Sequence, residues 1–505
     1  MKICFVLQRR YTPIGYYLAK LLHKKYNINE FCGYIFTRES FEFIKNQNSP
    51  KFNELLLDEE IQSRYKKEVV DWKYLKKLEK EYGLPNLWTY IELDRIIRYG
   101  QLVRAYPYDT PPYTHEEMAR IVQVTAKAVI KFMDETKPDA IVFSAIGSIS
   151  GLLLYQIAKK RNIKILHILS TRVGNKCTIS GDYSNFEDVN KLFNQLQKNL
   201  ISFPKQKQAA EEFLKNFRAE PEPYCTLDMT KNRPVDRRRQ FNFLKPNKLL
   251  WSVYWWPKMI IRYLTDSNKN DYTYINPLWG IWDKLKIKFR VLLGFEKFYS
   301  QVDPKEDFAL FTLHLDPEIA TLLYAPFYKD QLWLIKQIAR SLPLNFKLYV
   351  KEHPAMVGYR SRNFYRELKK IPNVKIIKPT VEGLSLIVNS KLIITINGTS
   401  GWEGIQLKKP VITFGKVFYN QLPMVKKCTT IEELPYLIKE QLENFKYDEN
   451  SLINFMTAIF KESVDVDFVK IWKIGGDNNL KNNYEQLSPL ADLMAKRLNL
   501  HSINS

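Results

Sequence analysis

Five stretches decide the fold: FKLYVKEHPAMVG (346–358), NVKIIKP (373–379), TVEGLSLIVNS (380–390), KLIITINGTSGWEGIQLKK (391–409) and PVITFG (410–415). Within them, four short apolar runs rich in Val, Ile, Tyr and Phe (346–350, 374–378, 391–396, 410–414) alternate with segments of helical period. That alternation predicts βα units winding a buried parallel sheet. FALFTL (308–313) reads as the strand before them, linked by the amphipathic run 328–342.

The polar residues fall just past each predicted strand. His314, Asp316 and Glu318 follow the first, and Lys351, Glu352, His353 and Pro354 the second. Lys378, Pro379 and Thr380 follow the third, Asn397 to Gly401 the fourth, and Gly415 the fifth. Open α/β sheets bind ligands at the carboxyl ends of their strands. A purely structural domain has no need to gather imidazoles, hydroxyls and glycines there, so this edge reads as a site.

Working outward, the 505 residues suggest two or three domains, with 45% hydrophobic and 26% charged residues, a globular balance. Cys4, Cys32, Cys177, Cys225 and Cys428 are scattered without metal spacing, which points to reduced thiols in the cytoplasm. Met1 leads straight into KICFVL, too short for a leader, and no apolar run reaches 18 residues. The net charge of +23 fits nucleic acid, an anionic membrane or acidic substrates, and equally a lysine-rich solvated surface.

At the start, 2–7 and 31–36 read as strands around a helix at 16–26, with Arg9 and Arg10 at the ligand-facing edge. These arginines suit an anionic donor or acceptor, or simple surface exposure. Residues 50–135 read as helical; Glu92, Asp94 and Arg95 sit there at helical spacing, as an ion-pair face or with a carboxylate turned to a site. Strands return at 140–144 and 163–169. Between them SAIGSISG (144–151) enters a helix, so Ser144 and Ser148 could meet an anion or acceptor sugar, although tight packing accounts for the glycines as well. No GxGxxG or P-loop is present.

From about 186 to 301 the α/β rhythm breaks. A basic run (Lys231, Arg233, Arg237, Arg238, Arg239) precedes LLWSVYWWPKMIIRYL (249–264), where Pro257 interrupts the pattern. Aromatics mixed with cations suit a membrane surface or single-stranded nucleic acid, and a buried helix pair is the third reading. Helices are expected at 429–445 and 482–500, with a break before Pro489. Asp465 and Asp467 lie outside the sheet pattern, so no DxD stands at a strand end and no metal is expected.

The motifs LHLDPEIAT (313–321), YKDQLWLIKQIARSLP (328–343), LYVKEHP (348–354), INGTSGWEGIQLKKPVITFG (396–415) and FY (418–419) resemble the capsule polysaccharide biosynthesis family, which includes β-Kdo transferases. The resemblance covers about 306–420 and implies a GT-B-like α/β fold, two Rossmann-like domains facing a cleft with a helical, aromatic and basic insert between them. It divides the chain into an acceptor-side domain (1–225), the insert (226–305), a nucleotide-sugar-binding domain (306–445) and C-terminal helices (446–505).

The resemblance further implies that Lys351, His353 and Pro354 lie against the donor's nucleotide and phosphate, where charge develops on the leaving group. A capping histidine is the plainer reading of His353. Thr399, Ser400 and Gly401 open a helix whose N-terminus suits a phosphate or needs only a cap. Glu403 looks like the glutamate that holds ribose hydroxyls in GT-B enzymes, or else favours the helix N-terminus electrostatically. His314 and Glu318 are candidates for acid or base chemistry, or for donor or acceptor contact. The activity implied is metal-independent transfer of a sugar from a nucleotide, CMP being the one the resemblance favours, to a surface polysaccharide or glycolipid, without a cofactor. Polyol-phosphate transfer of the CDP-glycerol type is the alternative, and a non-catalytic nucleic-acid-binding protein is a further one from another class. The partners expected are a nucleotide-sugar, a lipid-linked or polysaccharide acceptor and an anionic membrane surface, not nucleic acid, with the protein peripheral at the cytoplasmic face of the inner membrane.

Overall fold

The computed structural model describes residues 1–100, 111–224, 241–242, 245–265, 277–474 and 477–502. The basic run 231–239 lies outside them. Among the described residues there are thirteen strands: β1 Lys2–Leu7, β2 Glu30–Ile35, β3 Phe52–Leu57, β4 Ala140–Phe143, β5 Lys164–Ser170, β6 Lys176–Ser180, β7 Phe308–Thr312, β8 Lys347–Lys351, β9 Val374–Ile377, β10 Leu392–Thr395, β11 Val411–Thr413, β12 Val425–Lys427 and β13 Ser463–Asp465. They form one sheet in each of two compact units. Two Rossmann-like α/β units in succession are the plan of the GT-B fold.

The first unit comprises Met1–Arg98, Pro111–Ala210 and Ile453–Ser505. Its sheet runs β13-β6-β5-β4-β1-β2-β3, parallel except where β6 pairs with β5 and β13. The chain's end belongs here because Leu490 and Met494 of the last helix, and Leu498 just after it, pack with Leu18, Leu21 and Leu22 of the first. Burying such side chains stabilises by roughly 1.5–3 kcal/mol each.

Two sequence expectations need correction in this unit. The stretch 50–135 is not wholly helical, since FNELLL forms edge strand β3. Its half-exposed residues and its ion pair from Lys2 Nζ to Glu54 Oε1 (2.9 Å) give it the polar content of a helix. Asp465 lies inside the sheet rather than outside, closing β13 against Lys176 of β6 at 2.7 Å.

The second unit comprises Tyr99–Thr110 and Glu211–Leu452. Its sheet, β12-β11-β10-β7-β8-β9, is parallel throughout. Both faces are covered, so β7, β8, β10 and β11 are buried along their length apart from their end residues. Leu310, Leu348, Ile394 and Ile412 are fully buried. In register, Thr312 pairs with Lys351, and Lys351 with Ile377, which lines up the carboxyl ends of β7, β8 and β9. The aromatic insert forms two helices, Pro246–Thr265 and Pro277–Leu293. The first runs through Pro257 rather than breaking there.

Candidate functional site

A cavity of about 490 Å³ opens at the carboxyl edge of the second sheet. Of the residues expected there, His314, Glu318, Lys351, His353, Pro354, Thr399, Ser400 and Glu403 line it. Gly401 lies behind the wall, because a Cβ on it would collide with the Tyr419 hydroxyl. That hydroxyl donates to the Gly398 carbonyl at 2.6 Å and fixes the turn into the helix Thr399–Gln406. Gly401→Ala is therefore expected to displace Tyr419 and cost about 1–3 kcal/mol of stability, checked by urea unfolding; an unchanged midpoint would mean the ring yields freely.

Lys351 ends β8 and is 7% exposed. Its ammonium reaches the Pro379 carbonyl at 3.4 Å. Burial draws its pKa down to about 8, opposed by the charge of neighbouring Glu352. His353 does cap the short turn Pro354–Met356: its Nδ1 accepts from the Ala355 N–H at 3.1 Å. The neutral ring then carries its proton on Nε2, a donor.

His314 follows β7 and is nearly buried. Its Nε2 accepts from the Asn397 N–H at 3.4 Å, while Asn397 Nδ2 donates to the Ala320 carbonyl at 2.6 Å. Burial, and then the Arg360 charge, lower the imidazole's pKa to about 4, so it is neutral at pH 7. Ser400 Oγ and Thr312 Oγ1 share a hydrogen bond of 2.9 Å across the β7 and β10 edges. Glu403, one turn into its helix, has its carboxyl pushed up to about 8 by burial. It is thus protonated at neutral pH.

Two residues beneath this wall carry no role in the sequence reading, yet hold it together. Glu352 is fully buried. One carboxylate oxygen accepts from the His353 N–H at 2.7 Å and from Arg360 Nη1, and the other from the Tyr365 hydroxyl at 2.6 Å. Arg360 also donates to the His314 carbonyl. One buried ion pair thereby ties the loop after β8 to the loop after β7. Arg360 stands eight residues beyond Glu352 in the sequence, and nothing in its neighbours marks it. Glu382, just past β9, also lines the cavity and follows the same strand-end rule as the residues that were singled out.

The first-unit residues have partners of their own. Ser144 Oγ accepts from Gln8 Nε2 at 3.2 Å, and Ser148 Oγ caps its helix by accepting from the Gly151 N–H at 3.1 Å. The anion at this helix start is the chain's own Asp94, which accepts from the Ile149 N–H at 3.2 Å. Asp94 is buried, with its carboxyl raised to about 6 by that burial, and Glu92 pairs with Arg98 at 2.8 Å. Arg9, with φ 45°, and Arg10 are the two residues before the first helix. Among the described residues no group of three His, Cys, Asp or Glu side chains is placed to hold a metal.

Comparison with known proteins adds a family. Residues 295–429 match the model of the capsule polysaccharide biosynthesis protein family. Among solved structures, the β-Kdo 2,4 transferase of KpsC from Thermosulfurimonas dismutans is 16% identical over 64% of this chain and 79% of that one, with a TM-score of 0.35. The β-Kdo 2,7 transferase from the same organism is 10% identical over 65% and 79%, at 0.34. A UDP-GlcNAc 2-epimerase from Methanocaldococcus jannaschii, in complex with UDP-GlcNAc and UDP, is 16% identical over 90% and 98%, at 0.27. Overlaps this loose carry no argument, and no curated protein matches. The matched segment contains every cavity-lining residue except Pro223. The similarity to the capsule polysaccharide biosynthesis family thus falls on the segment that, Pro223 apart, lines the cavity.

Proposed function

We propose that this chain is a glycosyltransferase that moves a sugar from a nucleotide-activated donor, CMP-linked in our reading, to a growing capsular or other surface polysaccharide or glycolipid. One observation carries the proposal. Lys351, His353 and the start of the helix Thr399–Gln406 converge on a single cavity inside the family segment. An ammonium, an imidazole N–H and a helix N-terminus together suit the phosphate of a departing nucleotide.

In this reading the acceptor hydroxyl attacks the anomeric carbon as the bond to phosphate breaks, and the phosphate keeps that electron pair. Lys351 neutralises the charge it gains, and the His353 N–H donates to it. Glu403, neutral at pH 7, holds the ribose without repelling the phosphate. His314, neutral and tied to Asn397, shapes the wall, and Glu318 supplies the carboxylate on the acceptor side that takes the proton of the attacking hydroxyl. No metal or cofactor takes part. A lipid-linked acceptor lies at the inner membrane face, which makes the enzyme a peripheral cytoplasmic protein.

The test is nucleotide release from CMP-, UDP- and GDP-sugars with lipid-linked acceptors. His353→Ala is expected to lower kcat at least about tenfold in a folded protein, and Glu403→Ala to act mainly on donor KM. Release from no donor would overturn the enzymatic reading. A product heavier by a polyol phosphate would replace sugar transfer with polyol-phosphate transfer. Salt-sensitive binding of single-stranded nucleic acid, with no nucleotide-sugar affinity, would point to a binding protein instead.

A further inference from the structure

The two helices of the aromatic insert present apolar side chains to the outside in a regular stripe. On Pro246–Thr265 the stripe is Leu250, Tyr254, Ile261 and Leu264, with Trp251 beside it. On Pro277–Leu293 it is Leu278, Trp282, Leu285 and Phe289. All nine are at least half exposed, from 50% for Leu285 to 72% for Leu250. The spacing of three, four and seven residues puts each set on one helical face. A water-facing surface does not need such a face, and contiguous exposed apolar surface marks an interaction site.

The charges beside the stripes are almost all of one sign. The described lysines of the two helices are Lys248, Lys258, Lys284, Lys286 and Lys288, against one acid, Asp283, which pairs with Lys286 at 3.6 Å. Asp283 is 3% exposed, so it adds no negative charge to the outside. The Lys284 ammonium sits 4.8 Å from the Trp256 ring centroid and 5.7 Å from that of Trp255, which joins the helices side by side. Trp251 stacks on Trp255 at 5.5 Å. Lysine is depleted at the core of protein–protein interfaces, whereas lysines flanking Trp, Tyr and Leu are what a helix lying in a lipid headgroup layer carries.

The opposite face of the second helix is fixed to the unit. Val291 and Ile287 pack on Gly358, where a Cβ would come within 2.8 Å of Val291 Cγ2, and Arg290 Nη1 donates to the Tyr359 carbonyl at 2.7 Å. Gly358 and Tyr359 lie on the loop between His353 and Arg360. Neither helix is long and apolar enough to cross a membrane, nor is any other among the described residues.

We propose that this pair of helices is a monotopic docking surface for an anionic lipid bilayer: the two apolar stripes enter the headgroup layer and the flanking lysines meet lipid phosphates. The stripe and its charges carry this independently of sugar transfer. Where transfer also holds, the docked helix brings the His353 loop to the surface on which a lipid-linked acceptor rides.

The experiment is co-sedimentation of the full chain with phosphatidylcholine vesicles, with and without phosphatidylglycerol. Binding is expected to be about tenfold tighter to the anionic vesicles and to weaken in high salt. Trp251→Ser with Trp282→Ser and Phe289→Ser is expected to lose that binding about tenfold while circular dichroism and nucleotide release from a soluble acceptor stay as in the parent. Should that variant unfold, Lys248→Glu with Lys258→Glu carries the test, with the same loss expected. Equal binding to both vesicles, no binding to either, or a concentration-dependent dimer that the Ser variant breaks would overturn the proposal, the last in favour of a second copy of the chain. Vesicle binding without sugar release, or release without binding, tells the failure of one reading from that of the other.

Discussion

Glu352→Ala is expected to lower the unfolding free energy of the second unit by about 3–5 kcal/mol, the usual cost of removing one partner from a buried ion pair. Glu352 is fully buried and Arg360 is 8% exposed, so water cannot take over the lost contacts. Three donors lose their acceptor at once: Arg360 Nη1, the Tyr365 hydroxyl and the His353 N–H. The attraction within the pair is not the main quantity. What destabilises is the guanidinium left in a dry place, alongside the unsatisfied hydroxyl of buried Tyr365. Glu352→Leu combined with Arg360→Met should therefore cost clearly less than Glu352→Ala alone, since no charge then remains. Urea unfolding of the three proteins, followed by tryptophan fluorescence, checks both statements. A loss under about 1 kcal/mol for Glu352→Ala would mean that water reaches Arg360, and the pair would no longer explain how the two loops are held.

The second sheet was legible because its strands are buried on both faces and short, and so appear as unbroken apolar runs. The expected strand at 391–396 is Leu392–Thr395, and that at 410–414 is Val411–Thr413. The residues flanking the strands were legible for a related reason. In a parallel sheet every strand ends at the same edge, so polar residues after each strand are neighbours whatever their separation in sequence. That rule brings Lys351, His353, Ser400 and Glu403 to one cavity. It cannot find Arg360, which reaches the site by the length of its side chain from a turn beyond it. Edge strands were the other loss. β3 and β13 carry Glu54 and Asp465, each paired to a lysine on another strand. Such strands lack both the apolar run and the clean alternation that mark a strand, and β13 finds its place only by contact with a strand nearly three hundred residues earlier in the chain. The exposure of the aromatic insert was also hidden, because a stripe of Trp and Leu at helical spacing reads the same whether it faces a core or a membrane.

Nucleotide affinity is expected to fall by up to about a hundredfold between pH 7 and pH 9, because two protons leave the empty cavity near pH 8. Below that value Lys351 is an ammonium and Glu403 a neutral carboxyl; above it Lys351 is neutral and Glu403 an anion. Both changes make the wall less positive, and both therefore oppose an anionic ligand. The cause in each case is burial, which disfavours the charged form: it lowers the lysine and raises the glutamate until the two meet. A bound phosphate favours the protonated state of each group, so binding at pH 9 must take up two protons. Each uptake weakens binding about tenfold per pH unit above the pKa, which gives the hundredfold limit when the complex keeps both. Isothermal titration of CMP and UDP in buffers of different ionisation heat reads the affinity and the proton count together. Glu403→Gln should leave one proton and about a tenfold dependence, with affinity at pH 7 nearly unchanged, since the carboxyl is already neutral there. Lys351→Met should weaken binding at pH 7 itself and leave only the Glu403 dependence. An affinity flat from pH 7 to 9 with no proton uptake would place the bound phosphate away from Lys351, and the leaving-group role would pass to His353 alone.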